Sequence, residues 1–273
     1  MNIIFITIII IIVLYFYSKK INIERYEYAG HLYTSDEIYK HMDYIDNLLT
    51  KNNIKHWIMF GTLLGAVREQ NIITYDYDFD FGANIQDKNN IINLNKQIKK
   101  DKYELYFPID ANAYSLDQKN NKIMWRISIK VKYNGYDMGD IYLFDKFEDN
   151  MMRRFDKTTN MYMTPNITFP SWFIDNLIYV TIRNKQYLAP RDPEILLKHI
   201  YGKTWKIPIQ AKAQGGEGDN NSDYYGMSKK INIKFLLDYL KTKNVIIIPN
   251  LKNKINYVCP YEQKQWILNN DII

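Results

Sequence analysis

Cysteine is almost absent from this chain: Cys259 stands alone among 273 residues. One cysteine excludes an intrachain disulfide and a metal centre built from thiolates. It suits a domain facing the cytosol without requiring one. Histidine is nearly as scarce, and His31, His41 and His199 are spread without a metal-ligand spacing. His56, between Lys55 and Trp57 on an apolar run, reads as a core or edge histidine. No internal repeat is present. The net charge of +6 is not gathered into a stripe, since basic residues come in short pairs such as Lys19-Lys20, Lys99-Lys100 and Lys229-Lys230. With no common nucleic-acid motif either, nucleic acid is not an expected partner. The charge suits a membrane surface or an anionic, phosphorylated substrate instead.

What is present suffices for a core. Apolar residues make up 47% and charged residues 24%, so the chain should fold. Its length suits one large domain, or a core domain with a smaller appendage. Residues Ile3 to Tyr17 read IIFITIIIIIVLYFY. As a helix this run spans roughly 23–25 Å, slightly short of a hydrocarbon core of about 30 Å. An anchor, a cleaved signal peptide and a buried strand compete here. No basic region precedes the run and no small-residue cleavage site follows it. It is also too long for one ordinary strand. The reading taken is a single-pass transmembrane anchor over residues 1–18, followed by a juxtamembrane linker over 19–34. Lys19, Lys20 and Arg25 follow the span, so the positive-inside rule leaves the rest in the cytosol. A Golgi-type enzyme would need the reverse, and orientation stays open.

Thr34-Ser35-Asp36-Glu37 forms a capping box, and apolar residues follow at helical spacing, predicting a helix over about 35–51. His56 to Phe60 reads as a buried strand ending at Gly61, and Leu63 to Arg68 as a short helix. Ile72 to Phe81 reads as a second strand pairing back beside the first. Asn89 to Lys100 is a helix. Lys122 to Tyr133 and Tyr136 to Phe144 form a hairpin around Asn134-Gly135. Asp192-Pro193 opens a helix that ends at Gly202, and Ser228 to Lys243 is a last amphipathic helix. The alternation of strands and helices points to a mixed α/β or α+β core.

Gly61-Thr62-Leu63-Leu64-Gly65-Ala66-Val67-Arg68 is followed by Asp76, Asp78 and Asp80 at alternate positions among aromatics. In a strand the three carboxylates would share one side. Two like charges 4 Å apart cost roughly 4 kcal/mol at an effective dielectric near 20, so a cation should offset them. A hard divalent metal is the usual answer for clustered carboxylate oxygens. A strand-to-helix turn at Gly61 and Thr62 offers backbone N–H groups and a hydroxyl to a phosphate, and Arg68 can add a bidentate contact. Asp140, on the apolar strand Gly139 to Asp145, is a further carboxylate that needs a cation. Two bland alternatives stand beside this. One is an EF-hand-type calcium loop, from which Phe81 and Asp87 depart at its sixth and twelfth positions. The other is an acidic, solvated strand edge.

These blocks resemble the signature of the LicD/fukutin family. The GTLLGxxR block at Gly61–Arg68 and the Asp-x-Asp at Asp78 and Asp80 carry the specific likeness. Gly139 to Phe144 is similar to the family's next acidic strand, and Tyr201 to Pro208 to its closing YGxxWxxP segment. The resemblance covers roughly 35–210, leaving 211–273 as a C-terminal loop and helical extension. It implies an α+β, nucleotidyltransferase-like mixed sheet flanked by helices. It also implies transfer of phosphocholine or an alditol phosphate from a CDP-activated donor to a glycan, using Mg2+ or Mn2+. Asp78, Asp80 and Asp140 become the metal ligands, with Asp140 a candidate base and Asp76 an outer neighbour. Gly61, Thr62 and Arg68 become the donor-phosphate contacts. The family's Pro-Trp before the acids is Thr74-Tyr75 here, and its cysteine zinc site, present in fukutin-related protein, cannot be made. A membrane-anchored glycan-binding or scaffold protein with a degenerate transferase fold is the alternative.

Overall fold

The computed structural model describes residues 25–28, 31–74, 76–107, 114–116, 122–124, 128–156, 161–162, 167–208, 233–248, 256–259 and 264–267. The predicted anchor over residues 1–18 lies outside them. Among the described residues no helix is long and apolar enough to cross a membrane.

A short antiparallel hairpin, β1 (Arg25–Tyr28) and β2 (His31–Thr34), precedes helix α1 (Ser35–Lys51). Thr34 caps α1 as the sequence requires: its hydroxyl accepts from the Glu37 N–H at 3.2 Å, and Glu37 accepts from the Thr34 N–H at 2.8 Å. Ile38, Met42, Ile45 and Leu49 form the buried face of α1. Then follow β3 (His56–Ile58), α2 (Phe60–Glu69) and β4 (Phe79–Asn84). The expected helix over 89–100 is broken into α3 (Lys88–Asn93) and α4 (Asn95–Ile98), flanked by 3-10 turns. After it come β5 (Tyr103–Tyr106), β6 (Tyr114–Leu116), β7 (Lys122–Met124), β8 (Ser128–Tyr133) and β9 (Tyr136–Lys146).

Seven strands make the main sheet. β4 pairs antiparallel with β3 and parallel with β9, and β9 pairs antiparallel with β8, which pairs with β5. β9 is long enough to take a third neighbour, β10 (Met151–Arg153), at Asp145 and Lys146, and β10 is joined by β13 (Thr168–Pro170). Between those two, β11 (Phe155–Asp156) and β12 (Met161–Tyr162) pair with each other. Helix α5 (Trp172–Asp175), the hairpin β14 (Ile178–Ile182) and β15 (Lys185–Ala189), α6 (Pro193–Tyr201) and α7 (Ile233–Thr242) follow. A last hairpin joins β16 (Asn256–Cys259) to β17 (Lys264–Ile267).

The mixed sheet flanked by helices is as expected, but three boundaries move. The strand predicted from Ile72 begins only at Phe79. Ile72 and Ile73 are buried as loop, with the Ile72 N–H held by the Asn71 side chain at 2.9 Å. The Asp76 N–H then closes a turn on the Ile73 carbonyl at 2.9 Å. Those local bonds replace strand pairing, so alternation before Phe79 is not strand alternation. Helix α2 starts three residues earlier than Leu63, which puts Gly61 and Thr62 inside its first turn. Of the strand predicted from Lys122, β7 pairs with β6 and β8 pairs with β9, while 125–127 lie outside the described residues. Asn134 and Gly135 turn the β8–β9 hairpin with φ of 52° and 86°, a conformation that asparagine tolerates and that glycine, with no Cβ, adopts at low cost. Helix α6 ends at Gly202 as read, and α7 falls within the predicted 228–243, of which 228–232 lie outside the described residues.

Candidate active site

The acidic residues meet where β4 leaves its loop. Asp80 is the second residue of β4 and pairs in register with Asp140 of the parallel strand β9. Residues in register share a face. Phe81, on the opposite face, meets the His56 ring, and His56 reaches Asp46 of α1 at 3.0 Å. The acids therefore project from the face turned away from α1. Asp78 joins them from the loop: one oxygen each of Asp78, Asp80 and Asp140 lie within 4.8 Å of one another.

Asp80 is clamped by the start of α2. Its backbone N–H donates to Thr62 Oγ1 at 2.7 Å, its carbonyl accepts from the Met59 N–H at 3.0 Å, and its Oδ2 accepts from the Gly61 N–H at 3.0 Å. The chain reaches this arrangement by bending at Phe60, whose φ of 47° is strained for a bulky residue. The Phe60 ring rests edge-on against Tyr142 of β9, centroids 4.5 Å apart. So the turn singled out for phosphate binding spends its Gly61 N–H on Asp80, while the Thr62 hydroxyl oxygen accepts from the Asp80 N–H and keeps its own hydrogen to donate. Arg68 stands seven residues further along α2, roughly 10 Å of helix rise from Gly61, where it pairs with Glu69. Asp76 lies in the turn before β4, beside Gly61 rather than in the three-residue group.

Asp140 is held from the neighbouring strand β8. Lys130 Nζ lies 2.8 Å from its Oδ2, and the Ser128 hydroxyl donates to its Oδ1. Neither residue stands out in the sequence, because both lie in an ordinary alternating strand. Asp145 sits inside β9 and accepts from Gln86 at 2.7 Å.

Charge is unbalanced here. Burial pushes the Asp80 carboxyl well above the usual carboxylate range; Asp78 and Asp140 push the same way, against the Gly61 N–H and Lys130. Burial likewise raises Asp76, reinforced by Asp78 and Asp80. The Tyr142 phenol is raised by burial and then by the three acids. Crowded carboxylates forced toward protonation are what a bound cation would relieve. Their separation is comparable with the roughly 4–5 Å between opposite oxygens around a hard divalent ion, and the donors are all oxygen. The residues fit such an ion.

Fold and acids together define a mixed α/β domain with an acidic cluster, able to hold a metal ion, beside a strand-to-helix turn. Within that class, the chain belongs to the LicD/FKTN/FKRP nucleotidyltransferase-domain family, whose model matches residues 53–192 and so spans every site residue named above. An uncharacterized protein of Rickettsia typhi is 34% identical over 134 residues, covering 49% of this chain and 37% of its own length. The Homo sapiens ribitol-5-phosphate transferase FKTN is 29% identical over 170 residues, covering 59% of this chain and 32% of its own length. This chain thus spans about a third of the length of these curated relatives. The solved lincosamide antibiotic adenylyltransferase LnuA, with lincomycin bound, aligns over 59% of this chain and 84% of its own at a TM-score of 0.37 and 13% identity, too loose a likeness to argue from.

Proposed function

We propose that this protein transfers a phosphorylated alcohol, phosphocholine or an alditol phosphate, from a CDP-activated donor to a glycan hydroxyl, with Mg2+ or Mn2+ at Asp78, Asp80 and Asp140. The observation that carries the reading is the convergence of those three carboxylates within 4.8 Å inside the family-matched region. A bound divalent ion would neutralise charge that builds on the phosphoryl oxygens. The protein's share is positioning. Thr62, Met59 and Gly61 fix Asp80, and Ser128 fixes Asp140. In the reaction, a glycan oxygen bonds to the phosphorus that carries the alcohol. The bond from that phosphorus to the bridging oxygen breaks, and CMP leaves with the bridging oxygen. The hydroxyl proton passes to a carboxylate of the group.

The test is CMP release from CDP-choline, CDP-ribitol and CDP-glycerol, with candidate glycan acceptors and Mg2+ or Mn2+. Asp80→Asn should lower release about 100-fold or more, the scale of losing one electrostatic partner of a transition state. Without metal the same variant should melt at or above the wild-type temperature, because it removes one of several repelling carboxylates. Full activity in Asp80→Asn would sink the assignment. A wild-type protein that binds glycans but releases no CMP would favour a scaffold role.

A further inference from the structure

The geometry points to Lys130 as a phosphate-binding residue of this site: it holds Asp140 while the acids lack a cation, and turns to the donor's pyrophosphate once a divalent ion is bound. This rests on the transfer reading above. Lys130 stands directly opposite Asp140 in the β8–β9 pairing, and its ammonium lies 2.8 Å from Asp140 Oδ2. Its side chain is 12% exposed and that of Asp140 5%, so the pair is largely withdrawn from water. The Lys130 charge also reaches Asp80, where it opposes the effect of burial. It is therefore a resident counter-charge for two of the three proposed ligands.

A divalent ion on Asp78, Asp80 and Asp140 would supply the same compensation and repel the ammonium beside it. The strongest new partner for that ammonium is an anionic pyrophosphate bound to the same ion. The charged or backbone donors first suited to a phosphate are engaged elsewhere: the Gly61 N–H serves Asp80, and Arg68 pairs with Glu69 at the far end of α2, which leaves the neutral Thr62 hydroxyl as the turn's donor. Ser128, which needs no charge, keeps Asp140 oriented when Lys130 leaves.

The test compares the full chain with Lys130→Met, Lys130→Gln and Lys130→Arg by calorimetric titration. Mn2+ is titrated alone, then CDP in saturating Mn2+. Mn2+ should bind Lys130→Met and Lys130→Gln as tightly as wild type or several-fold tighter, while CDP binds at least tenfold more weakly. Lys130→Arg should recover most of the CDP affinity. A merely structural lysine gives the other pattern: Mn2+ and CDP weaken together, and Gln, which still hydrogen-bonds Asp140, restores both. That pattern, or unchanged CDP affinity, overturns the inference. If neither neutral variant folds, Lys130 is structural and the assignment falls. If the wild type itself binds neither Mn2+ nor CDP, the transfer reading falls with it; if it binds both and the variants match it, only Lys130 is misassigned.

Discussion

Gly61 and Gly82 both lack a side chain for reasons of space, yet their alanine variants should fail differently. A Cβ on Gly61 would sit 2.6 Å from Asp76 Oδ2 and 3.4 Å from Asp80 Oδ2. Those are carboxylate tips, which can swing aside. A Cβ on Gly82 would sit 2.3 Å from Nε1 and 2.4 Å from Cε2 of the fully buried Trp57 ring. That ring has nowhere to go. Gly61→Ala should cost under about 1 kcal/mol of stability but weaken Mn2+ binding by displacing the acids. Gly82→Ala should cost roughly 1–3 kcal/mol by overpacking. Urea denaturation and Mn2+ titration separate the two, and the opposite assignment of losses would contradict the placement of the carboxylates at the turn. The glycine-rich block and the alternate acids were legible as residues because small residues and clustered charge have few other uses. What stayed hidden was the division of labour. No spacing announces that Thr62 and Gly61 serve Asp80 first, since only tertiary contact puts them side by side.

Among the elements, the β8–β9 hairpin shows why reading a turn does not settle a register. A regular two-residue turn at Asn134-Gly135 would set Ile129 opposite Asp140. A bulge between Val131 and Lys132 leaves Met138 without a partner and advances the register by one, so Lys130 takes that place. The turn was legible, the bulge was not, and with it went the cation. Helix α1 was legible to its ends because cap and apolar stripe agree. Its polar interior was less so. His41, buried on α1, has Nδ1 2.6 Å from the Tyr103 hydroxyl of β5, and burial lowers its pKa from 6.5 to about 4. In the unfolded chain this histidine takes up a proton below about pH 6.5, while the folded one does so only near 4. Its contribution is thus complete above pH 6.5 and is lost as pH falls toward 4. At full span it is about 3 kcal/mol. Burial of Asp76 and Asp80 acts the other way as pH falls, so the test is a difference: between pH 6.5 and 4, thermal melts of the wild type should lose stability relative to those of His41→Asn, which removes the slope that His41 contributes. An unchanged slope would exclude His41 as the source.

At the scale of the molecule, the two strands that carry Asp80 and Asp140 run parallel, and a parallel pair cannot be closed by a tight turn. The chain between them passes through α3, α4, β5 and β8 before β9 returns alongside β4. The acidic group is therefore a long-range contact, paid for in loop closure before anything is gained. Like charges also have no reason to gather until the surrounding sheet forces them together. The group should accordingly be among the last features to form, and a cation that binds it should act on the finished protein alone. Saturating Mg2+ should slow unfolding in proportion to the stability it adds and leave the refolding rate nearly unchanged. Stopped-flow unfolding and refolding with and without Mg2+ would show this, and a refolding rate that climbs with Mg2+ would mean that β4 and β9 already meet at the barrier. In a cell, such a protein would draw its lifetime from the ion supply: the same sequence would persist where divalent ions are plentiful and turn over where they are scarce.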